Sequence, residues 1–156
     1  MKIKVYATAK TEEPYLRTGV DIYCNKLTHY FPFEYIEIPA PKQIKNLNIE
    51  QQKIKEGEII LDKILPADTM VILDENGKNM SSVGFADFLQ KKMQISKQLV
   101  FVIGGPYGFS PQVYERSNFK LSLSMMTFSH QMVRLIFLEQ LYRAASILKN
   151  EPYHHQ

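Results

Sequence analysis

The sequence predicts an α/β fold built on a mainly parallel sheet flanked by helices. Two observations carry that expectation. Helical and strand signals alternate along the whole chain, as in consecutive β-α-β units. Two apolar runs, Thr69–Leu73 and Leu99–Ile103, have no polar face, as strands covered on both sides should. The length of 156 residues suits one domain, residues 1–156.

Met1–Ala9 alternates, with Ile3, Val5 and Ala7 on one face, and predicts a strand. Glu12–Tyr30 predicts a helix with Pro14 in its first turn and an apolar stripe of Leu16, Val20, Tyr23 and Leu27. Phe33–Ile38 predicts a second strand, ended by Pro39 and Pro41, and Pro39–Asn48 a polar loop. Ile49–Leu65 predicts a helix with Ile54, Leu61, Ile64 and Leu65 on its buried side. Thr69–Leu73 is a short strand, and Asn76-Gly77 after it is a turn signal. Ser82–Ile95 predicts a helix with Phe85, Phe88 and Leu89 inward, followed by the strand Leu99–Ile103. Phe119–Ser124 alternates as a strand, and His130–Asn150 predicts the longest helix, with Pro152 beyond it.

Composition narrows the function classes. One cysteine, Cys24, excludes an internal disulfide framework and fits a reducing cytosol. The amino-terminal residues lack the apolar run of a signal peptide, and no stretch approaches the ~20 apolar residues of a membrane span. A cytoplasmic protein is expected. The net charge of +3 hints only weakly at an acidic partner. The lysines at 42, 45, 53, 55, 91, 92 and 97 read as solvated faces.

Open parallel sheets bind ligands beyond the carboxyl ends of their strands. Three such ends stand out: Leu73-Asp74, Gly104-Gly105 and Ser124–Ser129. The segment FVIGGPYGFS, Phe101–Ser110, lacks the G-x-G-x-x-G spacing of a dinucleotide site and the G-K-[ST] of a phosphate loop. On its own its glycine pair reads as a tight turn. The segment SMMTFSHQ, Ser124–Gln131, links a strand end to the last helix, with Ser129 as a candidate N-cap. In that helix Glu139 and Arg143 stand at ion-pair spacing. The chain ends EPYHHQ, whose two histidines lack the acidic or thiol companions of a metal site, so no metal is expected.

Taken together, FVIGGPYGFS, LSLSMMTFSHQMVRLIFLEQLYRA and EPYHHQ resemble the RlmH (YbeA) family of the SPOUT superfamily of methyltransferases. The start KIKVYA, the FEYIEIPA segment and the VILDENGK segment fall in family order too, so the resemblance covers the whole chain. It implies a SPOUT-type fold with a C-terminal trefoil knot, a homodimer with the partner subunit near the active site, and S-adenosylmethionine as cofactor. It also implies a substrate: N3 of a pseudouridine in helix 69 of 23S ribosomal RNA, within the assembled ribosome. Carried over by position, Leu73, Gly105, Ser124, Met125, Met126, Thr127, Phe128 and Ser129 are the implied cofactor-binding set. Arg143, Tyr153 and His154 are the implied catalytic set, with Arg134 a weaker candidate. Both sets are expected to form one pocket. Ser129 stands where the family pattern has Pro, and Phe109 where Leu is usual.

Such a reaction implies an in-line displacement whose main requirement is alignment, which can supply about 7–11 kcal/mol of the barrier. The imide N3 carries a proton that has to leave, and His154 is the most reasonable base or relay. Tyr153 would orient the base, and Arg143 would hold a phosphate or stabilise developing negative charge. Two other classes remain. A flavodoxin-like enzyme would want a glycine-bearing phosphate loop after the first strand, and Thr8–Glu13 has no glycine. A non-catalytic ribosome-binding factor would keep the fold without the activity.

Overall fold

The computed structural model describes residues 1–42 and 46–155. The expectations for Lys45 and for part of the Pro39–Asn48 loop lie outside the described residues. The elements are β1 (Lys2–Thr8), α1 (Pro14–Leu27), β2 (Phe33–Ile38), α2 (Ile49–Asp62), β3 (Thr69–Asn79), α3 (Ser82–Ile95), β4 (Gln98–Ile103), α4 (Pro111–Arg116), β5 (Phe119–Ser122) and α5 (Met132–Leu148). The five strands form one sheet in the order β2-β1-β4-β3-β5, and each neighbouring pair is parallel.

The apolar runs are central because both faces of the sheet are covered. In β4, Leu99, Phe101 and Ile103 pack against α1, α3 and α5, whereas Val100 and Val102 pack with residues of α2 and α4. Phe101 and Phe137 lie with ring centroids 4.9 Å apart, and Phe85 meets Phe101 edge-on. Burying each such ring contributes about 1.5–3 kcal/mol, which makes the α5 side of the sheet the heart of the core.

Three helix starts follow from local chemistry. Asn48 and Gln51 exchange side-chain and backbone hydrogen bonds in a capping box at α2. Ser81 caps α3 through the Gly84 N–H, and Ser110 caps α4 through the Val113 N–H.

The structure corrects the expected elements at three points. Helix α4 was not anticipated, although Ser110-Pro111 is an N-cap followed by proline at the first helical position. Helix α2 ends at Asp62, so Leu65 lies beyond it and is 60% exposed; Ile54 is exposed as well. Leu61 and Ile64 pack against the core as expected, and the fully buried residues of α2 are Gly57 and Ile60. Strand β3 resumes after the expected turn: both Leu73 and Lys78 align with Leu121, so Asp74–Gly77 bulges from the ladder. Gly77 is required there, since a Cβ would stand 2.7–2.8 Å from the backbone of Lys120 and Leu121.

The far end of β1 is held by one buried guanidinium. Arg134 of α5 is 0% exposed and donates to the carbonyls of Thr8 (2.5 Å), Ala9 (2.7 Å) and His130 (3.1 Å). It also reaches Thr11 Oγ1 (3.1 Å) and Glu37 Oε2 (3.3 Å). Ala9 has φ +67°, a conformation that costs an ordinary residue about 1–2 kcal/mol, and Arg134 anchors its carbonyl. Gln131 adds two bonds to the same loop, accepting from the Glu12 N–H and donating to the Lys10 carbonyl. The start of α5, and the loop leading into it, is thereby fixed to the end of β1.

Candidate active site

A cleft of about 460 Å³ opens at the carboxyl ends of β4 and β5, beside the bulge that interrupts β3 after Leu73. That volume falls in the range of small-ligand sites. Its walls are the bulge after Leu73, the turn Gly104–Phe109, and the loop after β5. Gly104 is demanded by the chain's own packing, because a Cβ would approach the Phe109 ring to 2.9 Å. Gly105 is not, since a Cβ there would meet nothing nearer than 3.6 Å. Its lack of a side chain leaves open space at the cleft.

Of the eight residues singled out for cofactor binding, Leu73, Gly105, Ser124, Met126, Thr127, Phe128 and Ser129 line this cleft. Met125 does not: it is 94% exposed, because the loop turns its side chain to solvent. The loop holds its own shape. Ser122 Oγ donates to the Ser124 carbonyl, and Ser124 Oγ accepts from the Met126 N–H. The N-cap position of α5 is Gln131, not Ser129, and it makes no side-chain cap bond; Ser129 Oγ, two residues earlier, accepts from the Met132 N–H at 3.0 Å, with a hydroxyl where a proline ring would restrict the backbone. Thr127 donates to Glu75 at 3.3 Å, tying the loop to the bulge of β3.

The cleft is acidic although the chain is basic. Its described lining includes Asp74, Glu75 and His130 and no lysine or arginine. Asp74 accepts from the Tyr114 hydroxyl and from the Asn76 N–H. Burial, and then the hydrogen bond to Asp74, push the Tyr114 phenol up to about 12, so it remains a donor at neutral pH. Such a lining suits a ligand with positive charge and opposes a polyphosphate. Glu75, Tyr107, Tyr114 and His130 were not anticipated. Glu75 had a signal, as the second of two acidic residues after the apolar run that ends at Leu73; Tyr114 had none, because it sits on the unanticipated α4.

The tail residues form a second cluster. Arg143 Nη2 lies 2.6 Å from Glu139 Oε1, as the spacing predicted. The Tyr153 hydroxyl donates to the same oxygen at 2.8 Å, and Arg143 lies 4.8 Å from the Tyr153 ring centroid. Burial, followed by hydrogen bonds with Tyr23 and Glu139, pushes the Tyr153 phenol well above its ordinary value. It is therefore a donor and a poor proton acceptor. His154 Nδ1 faces Arg143 Nη1 at 3.2 Å, and its Nε2 is buried without a partner among the described residues. Arg134, the weaker candidate, belongs to neither cluster's open surface.

The expected single pocket is not formed within one chain. Val133 lines the cleft near the start of α5, and none of Arg143, Tyr153 and His154 does. Arg143 stands about 15 Å farther along the helix at ~1.5 Å per residue.

The family described as predicted SPOUT methyltransferase matches residues 1–154. The chain belongs to the SPOUT methyltransferase family. It is 59% identical over 157 residues to a Flavobacterium psychrophilum protein named ribosomal RNA large subunit methyltransferase H, with 100% of each chain covered. Proteins of the same name from Parabacteroides distasonis and Bacteroides thetaiotaomicron are 55% and 49% identical, again over 100% of each chain. The parallel five-stranded sheet flanked by helices is consistent with the SPOUT fold. No described helix is long and apolar enough to cross a membrane, and no three His, Cys, Asp or Glu side chains among the described residues group as metal ligands.

Proposed function

We propose that this chain is a single-domain, cytoplasmic methyltransferase that modifies N3 of a pseudouridine in helix 69 of 23S ribosomal RNA on assembled ribosomes. The proposal includes S-adenosylmethionine as cofactor, a homodimer as the working unit and a C-terminal trefoil knot. The observation that carries it is the acidic cleft at the strand ends of a SPOUT family member. The full-length relatives named for ribosomal RNA methylation support the choice of substrate.

The residues present fit this cofactor. A sulfonium nucleoside has a net positive charge and a flat adenine ring, and the cleft pairs Asp74 and Glu75 for the charge with Leu73, Met126 and Phe128 for the faces of the ring. When bound, the cofactor supplies an electrophilic methyl group on positively charged sulfur. Leu73, Gly105 and the loop Ser124–Ser129 would hold it, with Met125 free to contact something outside the cleft.

Because Arg143, Tyr153 and His154 lie away from their own chain's cleft, a second copy has to bring its tail to that cleft. This gives the homodimer a chemical reason. Tyr153, held as a donor, orients the pyrimidine. Arg143 turns from His154 Nδ1 to the carbonyl oxygens beside N3 and stabilises their growing negative charge. His154 Nδ1, thus freed, accepts the N3 proton.

Calorimetric titration with S-adenosylmethionine tests the cofactor assignment. Specific saturable binding supports it and separates it from a non-catalytic ribosome-binding factor or a flavodoxin-like enzyme. Absence of binding would overturn it.

A further inference from the structure

Four of the nine tyrosines gather where the end of α1 meets α5 and the tail. Tyr142 is at the centre, with ring centroids 5.8 Å from Tyr23, 5.8 Å from Tyr30 and 4.6 Å from Tyr153. All four rings are half-buried, so each keeps part of its surface at the solvent boundary. The carboxylates in this cluster are already engaged. Glu139 accepts from Arg143 and Tyr153, and Glu151 accepts from the Tyr30 hydroxyl.

Lys26, in the last turn of α1, is exposed, yet its ammonium has a defined place. Nζ lies 5.3 Å from the Tyr23 centroid and 5.0 Å from that of Tyr142. Among the described residues no carboxylate oxygen lies within 4.0 Å of it. A cation seated on two aromatic faces and left without a counter-charge keeps its N–H donors for an external anion.

Resting on the ribosomal RNA reading above, we propose that this face is where a single-stranded segment of the RNA docks, with Lys26 contacting a backbone phosphate and the tyrosine rings supporting the neighbouring bases. Proteins hold unpaired RNA by this combination of aromatic surface and backbone cation. The placement assigns substrate to the tail side of the chain and cofactor to the cleft, which lines one chain's RNA face up with another chain's cofactor. A plainer role for Lys26 is to complement the negative end of the α1 dipole. That role affects stability and leaves RNA affinity untouched.

The test compares Lys26→Gln and Lys26→Arg in the full chain, using large ribosomal subunits that lack the methyl group. Lys26→Gln should raise KM for the subunits several-fold and lower the slope of log(kcat/KM) against log salt by about one, the signature of one lost phosphate contact. Affinity for S-adenosylmethionine should not change, and Lys26→Arg should restore both KM and slope. An unchanged KM and slope in Lys26→Gln, or an equal loss in Lys26→Arg, would overturn the docking role. No methyl transfer by the unaltered protein would instead overturn the reading on which this inference rests.

Discussion

The guanidinium of Arg143 stands 3.2 Å from Nδ1 of His154. A guanidinium only donates, so Nδ1 is the acceptor in this contact, while Nε2 is buried with no partner among the described residues. The tail in one chain is thus in a holding arrangement, with the basic nitrogen occupied by the residue that would later serve the substrate. His154→Ala should lower the methylation rate while S-adenosylmethionine binds nearly as before. Single-turnover rates with saturating ribosomes check this, and unchanged turnover would remove His154 from the chemistry.

Charge in the cleft yields a second expectation. Asp74 and Glu75 face it with no lysine or arginine among the described lining residues. The combined Asp74→Asn and Glu75→Gln variant should bind S-adenosylmethionine more weakly, while the uncharged thioether product S-adenosylhomocysteine is affected much less. Parallel calorimetric titrations give both constants. Equal losses for the two ligands would show that shape, and not charge, dominates.

Arg134 should matter for stability first. Its removal leaves the carbonyls of Thr8 and Ala9 without their donor and Glu37 without one of its two cations. Breaking one side of such a buried pair costs about 3–5 kcal/mol. Chemical denaturation of Arg134→Ala should show a loss of that order. A loss well below 1 kcal/mol would mean that the end of β1 holds its shape unaided.

Acid should weaken the same junction through Glu37. Burial by itself would raise this carboxyl, but hydrogen bonds from Thr11 and Arg17, together with the Arg17 charge, outweigh it and hold the group below its usual range. A carboxylate depressed on folding stabilises the protein fully above its unfolded value, near ~4.3, and that contribution disappears as pH falls through the lower folded value. Denaturation measured from pH 6 downward should therefore show less acid loss in Glu37→Gln than in the unaltered chain. Parallel curves for the two would contradict the assignment.

The strands were legible in the sequence because burial on both faces leaves a mark in the residues themselves: Leu99–Ile103 has no polar position. Their order was not, because pairing β4 between β1 and β3 depends on contacts between distant segments. Helix α4 escaped because six residues carry too little periodicity, although Ser110-Pro111 announces its start. The strand ends pointed to the cleft, and the resemblance put Met125 in the cofactor-binding set, whereas the loop turns that side chain outward. The resemblance named the tail residues and could not show that one chain keeps them away from its own cleft. That separation follows from the unbroken helical run of α5 between Val133 and Arg143.

Transfer of a labelled methyl group from S-adenosylmethionine to ribosomes that lack the modification tests the central claim most directly. Ribosomes carrying pseudouridine or uridine in helix 69 should be compared side by side. The account predicts one methyl group at N3 of the helix 69 pseudouridine, and far less on the uridine version. No incorporation into either, or incorporation elsewhere in the RNA, would contradict it.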